Sequence, residues 1–377
     1  DLDDALSVLP ADPQGGLRIL VSIADVDSMV PEGSELDGEA RVRGTSVYLA
    51  GQVIPMLPRK LSEDALSLLP GQERPVLTVE LRIDPEGAVT AVDIFEATIR
   101  SNGRLSYRAV EAYLERGDGA AVEPALQPTL RWLRTAVARL DTVRAARGGV
   151  SLLREEANVR LDESGEPTAL TTRRSTSAHA LVERLMVAAN EAVAGWLVDR
   201  GLPGVYRVHD PPEPARARML DEAARNFGLE AGLGEALTPL SVAAFERQLE
   251  GRANAPALYT VLGLMLGPAR YTATHGLHFG LGAPLYLHFT SPIRRYADLC
   301  VHRIVKGYLR GERERHAGEP GLEELAERLT DVARRAAKAE RERLRMLAAR
   351  LFAGRVGERL MGNVVAIKPF GLIVQLE

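Results

Sequence analysis

LRILVSIADVD, residues 17–27, is the stretch on which the fold turns. It alternates loosely and is rich in Val and Ile, as a buried strand is. Working outward, RPVLTVELRID (74–84) has the same character, and PEGAV (85–89) turns the chain toward a partner strand near 89–99. The early part is therefore sheet-forming. From 104 to 146 the spacing becomes helical, with Leu126, Leu130, Leu133, Val137 and Leu140 as one apolar stripe that Gly148-Gly149 ends. Residues 150–172 read as a hairpin turning at Asp162-Glu163-Ser164-Gly165.

Further on, Val182, Leu185, Met186, Ala189, Val193 and Trp196 recur at three- and four-residue steps and predict an amphipathic helix over 178–199. Helices are expected at 214–227 and 241–250, an apolar helix or strand at 254–266, and a long charged helix at 322–352. LMGNVVAIKPFGLIVQL (360–376) returns to strand alternation around a Pro-Phe-Gly turn. The class is α+β. The last unit is too short to bury a core of its own and reads as the opening of a further domain.

Composition narrows the functional classes. The chain has 377 residues, 46% hydrophobic and 26% charged, which is globular rather than disordered or fibrous and allows one large domain or two to three ordinary ones. No apolar run approaches the length of a membrane span, and no basic-then-apolar leader is visible, so a cytoplasmic location is the expectation. Cys300 is the single cysteine, which excludes an internal disulfide and a thiolate zinc site. The sequence starts at Asp1 without Met, which suggests processing or a segment upstream.

The net charge of -4 argues against a protein that simply coats nucleic acid. The average hides a polarity. Residues 1–39 carry ten carboxylates and one base, Arg18, whereas residues 328–350 carry eight bases and three acids. One end looks suited to cations, the other to anions.

Three segments could carry chemistry. Asp1-Leu2-Asp3-Asp4 sets three mutually repelling carboxylates within four residues. Oxygen-only ligands point to a hard ion, Mg²⁺ with Mn²⁺ as the alternative, while an exposed acidic turn remains the other reading. In HFTSPIRRYADL (288–299), Thr-Ser-Pro marks a turn or helix entry and places Arg294 and Arg295 in a first helical turn, where a phosphate would meet both backbone N–H groups and a guanidinium. Simple pairing of these arginines with Asp298 is the competing reading. In RGTSVYL (43–49), Tyr48 is placed to stack on a base or merely to pack. His275, His278 and His288 fit no zinc pattern and read as structural.

Together these strings resemble the ribonuclease II family (ribonuclease II and ribonuclease R type) in its catalytic RNB domain. The resemblance is carried by DLDDAL (1–6), SIADVD (22–27), RGTSVYL (43–49), VIPMLPRKLSEDALSL (53–68), RPVL (74–77), EATI (96–99), VYRVH (205–209), HFGL (278–281) and HFTSPIRRYADLCVHR (288–303), in the family's order. It implies an RNB domain over 1–310, with mixed sheets packed against helices around a channel. A helical extension over 311–352 and the opening strands of an OB-type RNA-binding barrel over 353–377 would follow.

The resemblance also implies an activity: processive 3′→5′ hydrolysis of single-stranded RNA to nucleoside 5′-monophosphates by a Mg²⁺-dependent, two-metal mechanism. Single-stranded RNA would be the partner, DNA and membranes would not, and a monomer is expected. By position, Asp3 and Arg294 would be catalytic and Asp1 and Asp4 metal ligands. Tyr48, Tyr107, Glu183, Arg295 and Glu340 would contact RNA. The family's first motif aspartate would lie six residues before Asp1. Val159 stands where some members carry a second base-clamping aromatic. The alternative is a non-catalytic RNA-binding protein on the same scaffold.

Overall fold

In the computed structural model, residues 1–9, 13–149, 156–173, 175–233, 237–252, 255–312, 321–369 and 371–376 are described. The first strands form one sheet. β1 (Asp4–Leu9), β2 (Leu17–Ala24), β5 (Glu73–Ile83) and β6 (Val89–Arg100) lie in the order β1-β2-β5-β6. All pairings between named strands are antiparallel rather than mixed. A short turn joins β5 to β6, and such a link favours antiparallel neighbours. Leu17, Ile19, Val21 and Ile23 of β2 are fully buried. Each contributes about 2 kcal/mol relative to an exposed side chain.

Between β2 and β5 the chain makes α1 (Glu35–Arg43) and the small hairpin β3 (Val47–Leu49) and β4 (Gln52–Ile54). The helical region contains α2 (Tyr107–Arg116) and α3 (Gln127–Arg147), then the hairpin β7 (Glu156–Leu161) and β8 (Pro167–Arg173), then α4 (Ser177–Asp199). Residues 150–155 of the expected hairpin segment lie outside the described residues. The apolar side of α4, with Leu185, Ala189, Val193 and Leu197 fully buried, joins the sheet core.

After β9 (Tyr206–Val208), helices α5 (Pro214–Asn226), α6 (Pro239–Leu249) and α7 (Ala255–Leu266) close a second core around Leu220, Phe245 and Leu258. The apolar segment near 254–266 is thus a helix. β10 (Arg270–Thr272) pairs with β9, α8 (Tyr296–Leu309) is buried along most of its length, and α9 (Leu322–Phe352) is the long charged helix. The chain ends in the hairpin β11 (Gly362–Lys368) and β12 (Gly371–Leu376).

Candidate active site

The site starts from the backbone of the first four residues. The Leu2 N–H donates to Ser67 Oγ at 2.9 Å, and its carbonyl accepts from Leu68 N at 3.0 Å. The Asp3 carbonyl accepts from Ala24 N at 2.8 Å. Leu2 and Asp3 are therefore laid against Ser67-Leu68 and the end of β2, which buries Asp3 and leaves Asp1 exposed.

Asp3 is buried. Its Oδ1 accepts from the Ile293 N–H at 2.9 Å, and its Oδ2 lies 3.6 Å from Arg294 Nε, within ion-pair range but too long for a hydrogen bond. Burial pushes the Asp3 carboxyl up to about 7 against the opposing pull of Arg294. Burial likewise raises Asp4, which also feels Arg294. Asp1 is exposed, and its Oδ2 accepts from the Tyr48 hydroxyl at 3.4 Å.

The loop that meets Asp3 departs from expectation. Pro292 and Arg294 precede α8, which starts at Tyr296 with Arg295 as the extended residue before it. The turn is closed by Arg294 N and Arg295 N donating to the Ser291 carbonyl at 3.2 and 3.0 Å. The cause is Asp298, which is fully buried. Its Oδ1 accepts from Ser291 N at 2.7 Å, and both its oxygens accept from Arg295 at 2.9 Å.

Arg295 thus sits on Asp298, as in the competing sequence reading. At the helix entry the Tyr296 N–H is taken by the Gly44 carbonyl at 2.9 Å. Arg294 is the half-exposed one, with Nη2 donating to Ser291 Oγ at 3.0 Å.

RGTSVYL is held to the same loop. Gly44 ends α1 with a φ of 65°, where a Cβ would approach Val332 Cγ1 to 3.0 Å. The chain then runs Thr45 against Arg295 and donates Ser46 N to the Arg294 carbonyl at 2.9 Å. This carries Tyr48, 40% exposed, to the mouth of the site. From α9, Glu340 Oε1 accepts from the Tyr48 backbone N–H at 2.8 Å.

The structure therefore brings Asp1, Asp3, Asp4, Tyr48, Arg294, Arg295 and Glu340 into one network. Tyr107 and Glu183 lie elsewhere, on the packed pair α2 and α4. Tyr107 is exposed and stacks on His179 at 3.9 Å, while Glu183 accepts from Arg184 at 2.8 Å. Val159 is buried on β7.

The acidic start is not uniformly free for cations. Lys306 Nζ donates to Asp25 at 2.7 and 2.8 Å and lies 3.0 Å from Asp27. Arg303 bonds Asp27 at 3.0 Å and Asp37 at 2.8 Å. Among the described residues no group of three or more His, Cys, Asp or Glu side chains is placed to hold a metal ion. The donor chemistry nevertheless fits a hard cation. Asp3 and Asp4 are oxygen-only and desolvated, and both lean on a single guanidinium, Arg294.

Sequence reasoning missed two supporting groups. Asn190, buried on α4, holds the loop strand by accepting from Phe289 N at 2.9 Å. His302 Nε2 is 2.8 Å from the Phe289 carbonyl. His288, read as structural, has its Nδ1 2.7 Å from the Tyr271 hydroxyl. No short-range spacing signals these contacts. His179 had a local signal, the capping box from Thr176.

A family model described as the RNB domain matches residues 1–311. Ribonuclease R of Aquifex aeolicus is 37% identical over 380 residues, covering 100% of this chain and 54% of its own length. A Mycoplasma genitalium RNase R in complex with ribose-methylated single-stranded RNA superposes with a TM-score of 0.93 at 30% identity, over 100% of this chain and 60% of that one. Yeast Ssd1, a pseudonuclease, shares the fold at a TM-score of 0.77 and 21% identity, over 97% of this chain and 45% of its own. The chain spans about half the length of the curated relatives it matches. With the acidic strand, the Arg294 loop and Tyr48 assembled as described and the match running through all three, the chain belongs to the RNB domain family.

Proposed function

We propose that this chain carries the catalytic domain of a processive 3′→5′ exoribonuclease that hydrolyses single-stranded RNA to nucleoside 5′-monophosphates. The observation that carries this reading is the buried Asp3 carboxylate 3.6 Å from the half-exposed Arg294, with the exposed Tyr48 beside them. A scaffold that only bound RNA would gain nothing from burying carboxylates beside one another. This favours an enzyme over the non-catalytic alternative.

In this reading Asp3 is the central catalytic carboxylate and Arg294 holds the scissile phosphate and offsets its developing charge. Tyr48 stacks on the 3′-terminal base, a contact that tolerates any base. Arg295 positions the loop through Asp298, and Glu340 fixes the Tyr48 backbone. Tyr107 and Glu183 are assigned to contacts with the terminal nucleotides and their ribose. Asp1 and Asp4 are assigned to Mg²⁺ with Asp3 beside them. Bound Mg²⁺ would activate the attacking water and stabilise the leaving oxygen. The β11–β12 hairpin is read as the opening of an OB-type RNA-binding barrel, a reading supported by its strand alternation.

The test uses 5′-labelled single-stranded RNA with and without Mg²⁺. Wild type is expected to shift the label to a very short end product without a ladder, releasing monophosphates. EDTA or Asp3→Asn should abolish this. Asn mimics the protonated acid that burial favours, so at pH 8 without metal Asp3→Asn should melt no lower than wild type. Undiminished cleavage in Asp3→Asn or in EDTA would overturn the mechanism. Binding without any cleavage by wild type would favour the non-catalytic scaffold.

A further inference from the structure

Arg207 lies on β9 between the buried Tyr206 and Val208. Its guanidinium carbon sits over the Tyr271 ring, 4.4 Å from the centroid. Nη1 is buried and has no hydrogen-bond partner, and among the described residues Arg207 forms no ion pair. Desolvation and the charges of Arg295 and Arg334 hold its pKa below the usual arginine range.

Contacts around His288 tie Arg207 to the site. The His288 ring feels Arg295, Arg207 and Arg294 together, and its Nδ1 meets the hydroxyl of the same Tyr271 that Arg207 covers. Tyr271 thus links Arg207 to His288, whose ring also feels Arg294 and Arg295. Asp298, the carboxylate nearby, is spent on Arg295. Among the described residues Arg207 has no counter-ion.

Arg207 is only partly buried, but a guanidinium with a buried, unpartnered Nη1 is costly unless an anion completes it. Its planar fork suits two phosphate oxygens, and the Tyr271 ring fixes its plane. We propose that Arg207 is an RNA-binding residue whose guanidinium takes a backbone phosphate of the substrate upstream of the scissile one, with the exposed Arg334 of α9, whose charge it feels, as a second cation for that strand. The proposal rests on the ribonuclease reading. It assigns a subsite distinct from Arg294, which serves the reacting phosphate.

The experiment measures binding of a fluorescent single-stranded oligoadenylate to the full chain in EDTA, across a NaCl series. In parallel, RNA cleavage by wild type is measured in Mg²⁺. Arg207→Gln is expected to bind roughly tenfold more weakly. Its plot of log affinity against log salt should be shallower by about 0.7, the counter-ion release of one phosphate contact on a single strand. Arg207→Lys should restore the slope and part of the affinity. A purely structural role would leave the slope unchanged.

Thermal melting checks that the variants fold. If Arg207→Gln does not fold, Arg207→Lys and the exposed Arg334→Gln decide. The proposal stands if Arg334→Gln flattens the slope and Arg207→Lys keeps it, and falls if Arg334→Gln leaves it unchanged. An unaltered slope and affinity in Arg207→Gln, with wild type binding and cleaving RNA, overturns the Arg207 subsite alone. Failure of wild type to bind or cleave overturns the ribonuclease reading itself.

Discussion

Tyr48 shows how one side chain serves two ends of the site. Its ring is exposed, its hydroxyl donates to Asp1, and its backbone N–H is held by Glu340 from a helix nearly three hundred residues away in sequence. Burial on one side raises its phenol pKa, so the hydroxyl stays protonated as a donor. Base stacking on an aromatic is worth about 1–3 kcal/mol by alanine substitution. Tyr48→Ala should therefore weaken 3′-end binding about tenfold or more and lengthen the end product, read on a denaturing gel. An unchanged product length would remove the stacking role. The motif was legible at this scale, because RGTSVYL keeps Tyr48 a fixed step from Gly44. The Glu340 contact was not, because it joins residues from opposite ends of the chain.

Among the elements, α8 organises the site through charge. Its first turn fixes the Arg294 loop through Asp298, and one to two turns further on Arg303 and Lys306 gather Asp25, Asp27 and Asp37 from the early chain. Lys306 and Asp25 are both buried. Removing one partner of such a pair leaves an uncompensated charge, which costs about 3–5 kcal/mol. Lys306→Met should lower stability by about that much in urea unfolding. Lys306→Met with Asp25→Leu should recover most of the loss. A single variant as stable as wild type would show that the pair adds nothing to the fold. The sequence placed Arg294 and Arg295 in the first turn of this helix. It starts at Tyr296 because Asp298 takes the Ser291 N–H and Arg295, closing a turn first.

Across the whole molecule, buried imidazoles set the acid limit. Burial holds His278 down to about 3, His288 well below its ordinary value, and His302 below its own. The folded pKa is depressed, so this stability is present above the unfolded value near 6.5 and is lost as pH falls toward the folded values. Asp3 works in the opposite sense. Its pKa is raised to about 7, so its contribution is lost as pH rises from about 4 to 7. In Asp3→Asn, stability should therefore fall from pH 6.5 to 4.5, by up to about 1.4 kcal/mol per pH unit for each buried imidazole. Urea midpoints across that window check this, and a flat profile would refute it. Among the described residues no helix is long and apolar enough to cross a membrane.

Local spacing determined a good deal. The strands at 17–24, 73–83 and 89–100, the helices at 177–199 and 322–352, and the terminal hairpin follow from periodicity and turn residues, which act over a few positions. The long strings also pointed to the family. The tertiary structure alone decided how charge is shared. It set Asp25, Asp27 and Asp37 aside for α8, left Asp3 and Asp4 leaning on one arginine, gave Arg295 to Asp298, and left Arg207 without a counter-ion among the described residues. A composition count sees only the sum of -4, whereas burial and distance fix which charges meet and how strongly.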